Sequence, residues 1–481
     1  MPKEIRLNAF DMNCIGHIQH GMWAHPRDRS TSYTDIEYWQ HLALTAERGL
    51  FDAVFLADIL GTYDVYGGNA DAALRNAVQI PINDPLLVVP VMAAVTRHIG
   101  FGVTSNVTYE PQYLFARRMS TLDHLTKGRI GWNIVTGYLD SAARAMGLPR
   151  QIAHDDRYDM AEEYMDVVYK LWEGSWDDDA ILADRSGRVY ADPAKIHPVR
   201  HSGPRHHVDA IHLSAPSAQR TPVLYQAGAS SRGLEFAARH AECLFFASST
   251  KENVASIVAD IRKRAVANGR QANDVLIFIS RSYIVGRTRK EAQEKFEDYR
   301  KYGSVEGALT HFGSSVGIDY AKQDLDKPLT HVETNSMRSL LEAVTTRASE
   351  EWTLRKLIEQ MGLGSRSSPF VGSAEDVADE MESWVNEADI DGFNLCRVVT
   401  PEGLEDFVDL VVPILQERGV YKTAYKPGPL RQKLFGHDHG RLSADHPGAA
   451  FRRLTENSGE SAETGCDPDV LPGPRVSILS E

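Results

Sequence analysis

"VLYQAGASSRG", residues 223–233, passes from an apolar run to small residues and then an arginine within a few positions. Such a switch is either an inexpensive turn or a backbone shaped to hold an anion where a helix begins. Glycine lets the backbone approach a ligand closely, and the free N–H groups and dipole of a helix start favour negative charge. The residues that follow, "SRGLEFAARH" (231–240), have the pattern of that helix, and Ser230, Ser231 and Arg232 offer hydroxyl and guanidinium donors. Gly-Ser turns are common, so the stretch gains meaning only from its place among the other apolar runs.

Eight runs bounded by turn residues are present: "IRLNAF" (5–10), "DAVFLAD" (52–58), "IGFGVTS" (99–105), "RIGWNIVT" (129–136), "PVLYQAG" (222–228), "CLFFASS" (243–249), "VLIFISRSYIV" (275–285) and "GFNLCRVV" (392–399). Several are nearly continuous in apolar residues, the mark of strands buried on both faces. Helical patterns lie between them at 36–49, 158–174, 251–269 and 373–392, the last opening on Ser373 as an N-cap. Eight strands alternating with helices predict an α/β fold, a (β/α)8 TIM barrel, over residues 1–437. A doubly wound sheet is the alternative. It usually carries a G-x-G-x-x-G turn after the first strand, and "AFDMNCIG" is not one. Residues 60–84, 174–221 and 303–372 are too long for tight loops and read as insertions at the strand ends. Residues 438–481 read as an extended or disordered C-terminal tail, poor in apolar residues.

Composition narrows the function. Of 481 residues, 42% are apolar and 25% charged, as in an ordinary globular protein. The formal charge of -14 argues against a nucleic-acid partner. The cysteines, Cys14, Cys243, Cys396 and Cys466, have no paired spacing, so neither a disulfide framework nor a metal site is expected, and a reducing cytoplasm fits. Neither a signal peptide nor a membrane span is expected.

In a (β/α)8 barrel the site lies at the C-terminal strand ends. Those ends carry Asp11, Asn13, Cys14 and His17, then Asp58, then Thr104 to Asn106, then Asn133, Thr136, Gly137 and Tyr138, then Gly228, Ser230 and Ser231. Singly, Asp58 also reads as a cap, Thr104 to Asn106 as turn formers, His17 and His20 as surface histidines, and Cys14 as a packing residue. Asn133 resists such a reading, because an amide in an apolar strand needs a partner when buried. "HDDRY" places His154 and Tyr158 one helical turn apart as a second anion contact. A phosphate at one side and neutral amides and hydroxyls elsewhere suit a mononucleotide such as FMN.

The segments "NAFDMNCIGHIQHGMW", "FDAVFLADILGTYDVYGG", "RRMSTLDHLTKGRIGWNIVTG", "HDDRYDMAEEYMDVVYKLWEGSWDDDA", "QRTPVLYQAG" and "DIDGFNLCRVVTPEGLEDFVDLVVPILQERG" together resemble the flavin-dependent monooxygenases of the bacterial luciferase-like superfamily. Within it the chain resembles the nitrilotriacetate and dibenzothiophene-sulfone monooxygenase group, nearest the LadA-type long-chain alkane enzymes. The resemblance implies a two-component enzyme. A separate NAD(P)H:flavin reductase supplies FMNH2, and molecular oxygen reacts through a flavin C4a-(hydro)peroxide. The favoured substrate is a long-chain alkane or similar apolar compound. Riboflavin cleavage to lumichrome, or oxygenation of dialkyl sulfides or halogenated aromatics, are alternatives in the same family. A non-catalytic flavin-binding protein and a deazaflavin-using reductase are alternatives outside it. The family pattern maps FMN contacts onto Asp58, Thr104, Asn106, Asn133, Val135, His154, Tyr158, Ser230 and Ser231. It maps catalytic roles onto His17, His311, Asn133 and Cys14, and substrate contacts onto Tyr63, Gln79, Tyr138 and Trp352. Tyr138 and Ser231 depart from it: the pattern has histidine at the first position, and proline or glutamate at the second. The resemblance further implies a homodimer or homotetramer.

Overall fold

The computed structural model describes residues 2–453 apart from 248–249, 333, 347, 349–350, 362 and 364–367. Eight parallel strands form one ring: β1 (Arg6–Met12), β2 (Ala53–Ala57), β3 (Gly100–Asn106), β4 (Ile130–Val135), β5 (Val223–Ala227), β6 (Cys243–Phe246), β7 (Leu276–Gly286) and β8 (Gly392–Cys396). Each pairs with the next, and β8 returns to β1 through Arg6 opposite Gly392 and Phe10 opposite Cys396. Ring closure makes this a (β/α)8 barrel and excludes the open doubly wound sheet.

The register gives the geometry of the ring. With pairings extended by at most two residues, a path from Met12 runs through Ala57, Thr104, Asn133, Tyr225, Cys243 and Leu276. It returns to β1 at Glu4, eight residues below its start. That stagger equals the strand number, as an eight-stranded barrel of this type requires. An even stagger keeps one set of alternating residues inward all round: Phe10, Phe55, Gly102, Gly131, Tyr225, Cys243 and Phe278 low down, and Met12, Thr104, Asn106, Asn133, Ala227, Phe245 and Ser280 above them.

The lower layer is aromatic, and two glycines make room for it. A Cβ on Gly131 would lie 2.6 Å from the Tyr225 ring, and one on Gly102 would lie 2.8 Å from the Phe55 ring. The Phe55 and Tyr225 rings themselves meet edge to face at 5.3 Å.

Helices α1 (Ile36–Arg48), α2 (Val89–Val95), α3 (Gln112–Thr126), α4 (His154–Tyr169), α5 (Ser231–His240), α6 (Lys251–Ala267), α7 (Val305–Val316) and α8 (Ala374–Ala388) belong to the connecting segments. α1 buries Trp39, Leu42, Ala43 and Ala46, a stripe at helical spacing. α4 begins four residues before the helix the pattern predicts at 158, so His154 is its first residue. α8 starts from a Ser373–Asp376 capping box and stops where Asp389 turns left-handed, at φ 54°.

The long insertions contain their own elements. Residues 174–221 form two antiparallel hairpins, Ile181–Asp184 with Val189–Ala191 and Val199–Ser202 with His207–Ala210. Residues 303–372 carry α7 and two shorter helices, Arg338–Ala343 and Leu354–Met361. The extended-tail reading for 438–481 needs correction over its first part. Leu442, His446 and Ala449 are buried, because apolar and aromatic surface of α4 lies beneath them; Tyr169 meets His446 at 5.8 Å. Residues 454–481 lie outside the described residues.

A helix at Leu430–Phe435 seals the floor of the barrel. Leu430 and Leu434 pack on Val223, Tyr225, Leu276 and Phe278. Fully buried Arg431 donates from Nε to Glu242 at 2.6 Å and from its terminal nitrogens to the carbonyls of Thr221, Pro222 and Gly440. A buried guanidinium is tolerable only when so fully hydrogen-bonded.

Two outcomes follow for stability, each read from denaturant unfolding. Gly131→Ala drives a methyl into the Tyr225 ring and lowers stability by about 1–3 kcal/mol. Arg431→Met leaves the Glu242 carboxylate buried without its partner and costs about 3–5 kcal/mol.

Candidate active site

The upper, more polar layer opens into a cavity of about 400 Å3 at the C-terminal strand ends. Seven of the eight strands contribute to its wall, and β8 alone does not. A volume of this size suits a flat cofactor or drug-sized ligand.

One end of the cavity presents a helix N-terminus and neutral donors. Gly228, just beyond β5, sits at φ 132°, a conformation other residues rarely adopt. It leads to Ser230, the N-cap of α5, whose Oγ accepts from the Gly233 N–H at 3.1 Å. The same hydroxyl also hydrogen-bonds the Tyr158 hydroxyl, which brings the two donors together. α4 lays His154, Arg157 and Tyr158 against the same end, since residues three and four apart share a helix face. Burial lowers the His154 pKa, with Arg157 and Arg338 adding to the effect and a 2.6 Å hydrogen bond to Asp155 opposing it. Burial pushes the Tyr158 hydroxyl up, so it stays a neutral donor.

The middle of the cavity is lined by amides and hydroxyls. Asn133 Nδ2 donates to Thr104 Oγ1 at 2.8 Å, and Asn133 Oδ1 is buried with no partner among the described residues. A buried carbonyl left unsatisfied is costly, which makes it a ready acceptor for a bound N–H. Asn106 is held by the Thr108 N–H on its Oδ1 at 2.8 Å. Asp58 lines the wall opposite; burial and the nearby Asp84 push its carboxyl up to about 8.

The far end is apolar with an ordered hydroxyl chain. Ile59, Leu60, Leu139 and Leu340 line it. Tyr63 donates to Gln79 Oε1 at 2.7 Å and therefore accepts from the Tyr138 hydroxyl at 2.8 Å. His17 closes this side, its ring edge-on to Phe10 at 4.6 Å. His17 and Gln79 both have left-handed backbone, φ 30° and 52°, a strain that clusters at working sites.

Asp58, Thr104, Asn106, Asn133, Val135, His154, Tyr158, Ser230, His17, Tyr63, Gln79 and Tyr138 thus share one cavity. Four expected residues lie outside its wall. Cys14 is buried and paired by its backbone to Ile82, and burial holds its thiol protonated, so it packs rather than reacts. His311, on α7, is a layer further back, its Nδ1 3.0 Å from His20 Nε2 and its ring 5.1 Å from Tyr63. Ser231 is exposed because it follows the cap, and Arg232 is committed to Asp159 and Glu162. Trp352 packs in a separate cluster with Leu309, Phe312 and Leu357. His17 and His20 are buried, not on the surface. Arg157, Ser336 and Arg338 line the cavity without having been singled out. Arg157 sits inside "HDDRY", on the face shared by His154 and Tyr158, and that spacing is the signal for it.

Comparison with known proteins matches this arrangement. The family model for luciferase-like monooxygenases aligns with residues 18–391. The chain belongs to the luciferase-like monooxygenase family. It is a flavin-dependent monooxygenase of that family. It is 48% identical over 453 residues to the dimethyl-sulfide monooxygenase of Hyphomicrobium sulfonivorans, covering 94% of each chain. Among solved structures it is similar to the long-chain alkane monooxygenase LadA, at 47% identity and TM-score 0.87, with 94% of this chain and 100% of that one covered. It is also similar to riboflavin lyase RcaE, solved with modified FMN and riboflavin, at 37% identity and TM-score 0.89, with 94% and 100% covered. Among the described residues of this monooxygenase, no three metal-ligating side chains cluster, and no helix is long and apolar enough to cross a membrane.

The Asp58 carboxyl yields a pH dependence. Its folded-state pKa lies above the ordinary 3.8 and near 8. The native state therefore holds more protons than the unfolded chain between those values, and stability falls as pH rises through that window. Ligand-free wild type loses stability between pH about 5 and about 8, and Asp58→Asn flattens that slope, as denaturant midpoints at the two pH values report. Equal slopes would refute the raised carboxyl.

Proposed function

We propose that this chain is the oxygenating component of a two-component system. A separate NAD(P)H:flavin reductase supplies FMNH2, molecular oxygen is the co-substrate, and an apolar compound, best a long-chain alkane, is the substrate. The observation that carries the reading is one cavity with an anion-binding end, an amide-lined middle and an apolar end. No glycine-rich dinucleotide turn follows β1, which favours a reductase on another chain.

The residues present fit the cofactor. Ser230, Tyr158, His154 and the α5 N-terminus would hold its phosphate. Asn133, with its unsatisfied carbonyl, together with Thr104 and Asn106, would meet the polar ring edge. Reduced flavin, when bound, supplies the oxygen-activating chemistry itself, so the protein needs neither a nucleophile nor a metal. The protein's own share is placement and protection. Ile59, Leu60, Leu139 and Leu340 exclude water from the apolar end. The Tyr138–Tyr63–Gln79 chain fixes a hydroxyl proton at that end, and His17, in the wall of the same cavity, would serve as proton donor or acceptor.

A sulfide substrate is the second reading, favoured by 48% identity to a dimethyl-sulfide monooxygenase. One screen separates the possibilities. The reduced-flavin complex is prepared without air, mixed with hexadecane, dimethylsulfide, riboflavin or a chlorinated benzene, exposed to labelled dioxygen and analysed by mass spectrometry. Labelled oxygen in hexadecane supports the alkane reading, and labelled product from the sulfide the second. Lumichrome from riboflavin would make the protein a lyase. Flavin oxidation as fast as in free solution, with no product, would make it a binder without turnover. Replacing both Ser230 and His154 by alanine weakens FMN binding by on the order of 3 kcal/mol, measured by fluorescence titration. Unchanged affinity would place the phosphate elsewhere.

A further inference from the structure

The insertion after β7 crosses the cavity at residues 334–343. Ser336, Met337, Arg338, Leu340 and Ala343 line the wall from above. This strap is held at several points. Arg157 donates to the Asn335 carbonyl at 3.0 Å, Thr334 Oγ1 donates to the Val316 carbonyl at 2.8 Å, and the Met337 N–H donates to the Ser315 carbonyl at 2.9 Å. Ser336 Oγ reaches the Tyr138 carbonyl at a longer 3.4 Å.

Charge at the anion-binding end is not balanced. Arg157 is buried, lines the cavity, and its Nε–H has no partner among the described residues. Arg338 points a second guanidinium at the same end. Its Nε donates to the Thr334 carbonyl at 2.9 Å, and among the described residues its nearest carboxylate is Asp155, 3.9 Å from a terminal nitrogen. Asp155 is 67% exposed and already engaged by His154. Among the described residues, the two guanidiniums face only carboxylates at a distance: Asp140 acts on Arg157, and the solvated Asp155 on Arg338. Burial first, and then the Arg338 charge among its neighbours, depress the pKa values of both His154 and Arg157. A dianion would relieve this repulsion, and guanidinium forks match phosphate oxygens.

We infer that Arg338 is a phosphate ligand delivered by the strap, so that the phosphate of the cofactor, rather than its ring, holds residues 334–343 across the chamber. The inference rests on the FMN reading above. It assigns cofactor recognition to an element of the long insertion after β7, far along the chain from α5. It also ties closure of the apolar end to occupancy of the anion end, because Leu340 and Ala343 ride on the same strap.

Oxidised FMN and riboflavin, which lacks the phosphate, provide the test. Affinities for both are measured by fluorescence quenching for wild type, Arg338→Ala and Arg338→Lys. Hydrogen–deuterium exchange is followed over the strap. Wild type is expected to prefer FMN. Arg338→Ala is expected to lose about tenfold or more in FMN affinity while keeping its riboflavin affinity, and Arg338→Lys to recover part of the loss. FMN slows exchange in the strap of wild type, whereas riboflavin does not, and FMN does not slow it in Arg338→Ala. An Arg338→Ala protein that prefers FMN as strongly as wild type overturns the inference, as does one that loses both flavins equally. Equal slowing by riboflavin removes the phosphate as clasp. A wild type that binds neither flavin refutes the flavin reading itself, and the clasp with it.

Discussion

The register of the strand ring governs everything built on it. Because the pairings advance by an even number of residues in one circuit, the same alternate side chains face inward on all eight strands. An odd slip at any pairing would turn Asn133 or Thr104 outward and bring Trp132 or Val103 inside. The polar layer that forms the site therefore exists only because the hydrogen-bond ladder closes on itself without a change of parity.

Within the ring, chemistry is stratified by height. The lower layer is filled by aromatic rings fitted over glycines, Tyr225 over Gly131 and Phe55 over Gly102. Such packing is rigid, since interiors at crystal-like density have no room to yield. It forms a firm platform beneath Asn133 and Thr104, whose hydrogen bond presets the amide. Preset donors and acceptors need little reordering when a ligand arrives. The upper wall is different. Its components come from loops and from the long insertion, where Gln79 and His17 hold left-handed backbone. Precision below and adjustability above are what a cavity needs when a constant cofactor must be combined with a varied substrate.

The strands were legible in the sequence because parallel strands buried on both faces appear as nearly continuous apolar runs. All eight strands lie within the expected stretches or within two residues of them. That Ser230, His154 and Tyr158 come together was legible for a similar reason: Ser230 follows a strand directly, and His154 and Tyr158 share one helix face. What was not legible came from tertiary packing. His17 and His20 carry no local mark of burial; His17 lies edge-on to Phe10, and His20 is enclosed because α7 packs over it and supplies His311. Trp352 and Cys14, drawn in by resemblance, lie outside the cavity wall, because position in the chain does not reveal which layer a side chain occupies. Arg338 gave no signal, since its partners Asp155 and Arg157 lie more than 180 residues earlier in the chain.

The helix around Arg431 has a temporal implication. It touches the starting ends of several strands at once: Arg6 through the Leu434 carbonyl, Gly128 through the Leu430 N–H, and Thr221, Pro222 and Glu242 through its guanidinium. During synthesis the strands emerge first and this keystone emerges after all of them. Until then Glu242 has no cation and the base of the tube is open to water. Ring closure needs β8 and sealing needs the helix at Leu430–Phe435, both near the end of the described chain, so the final locking is an event of late translation.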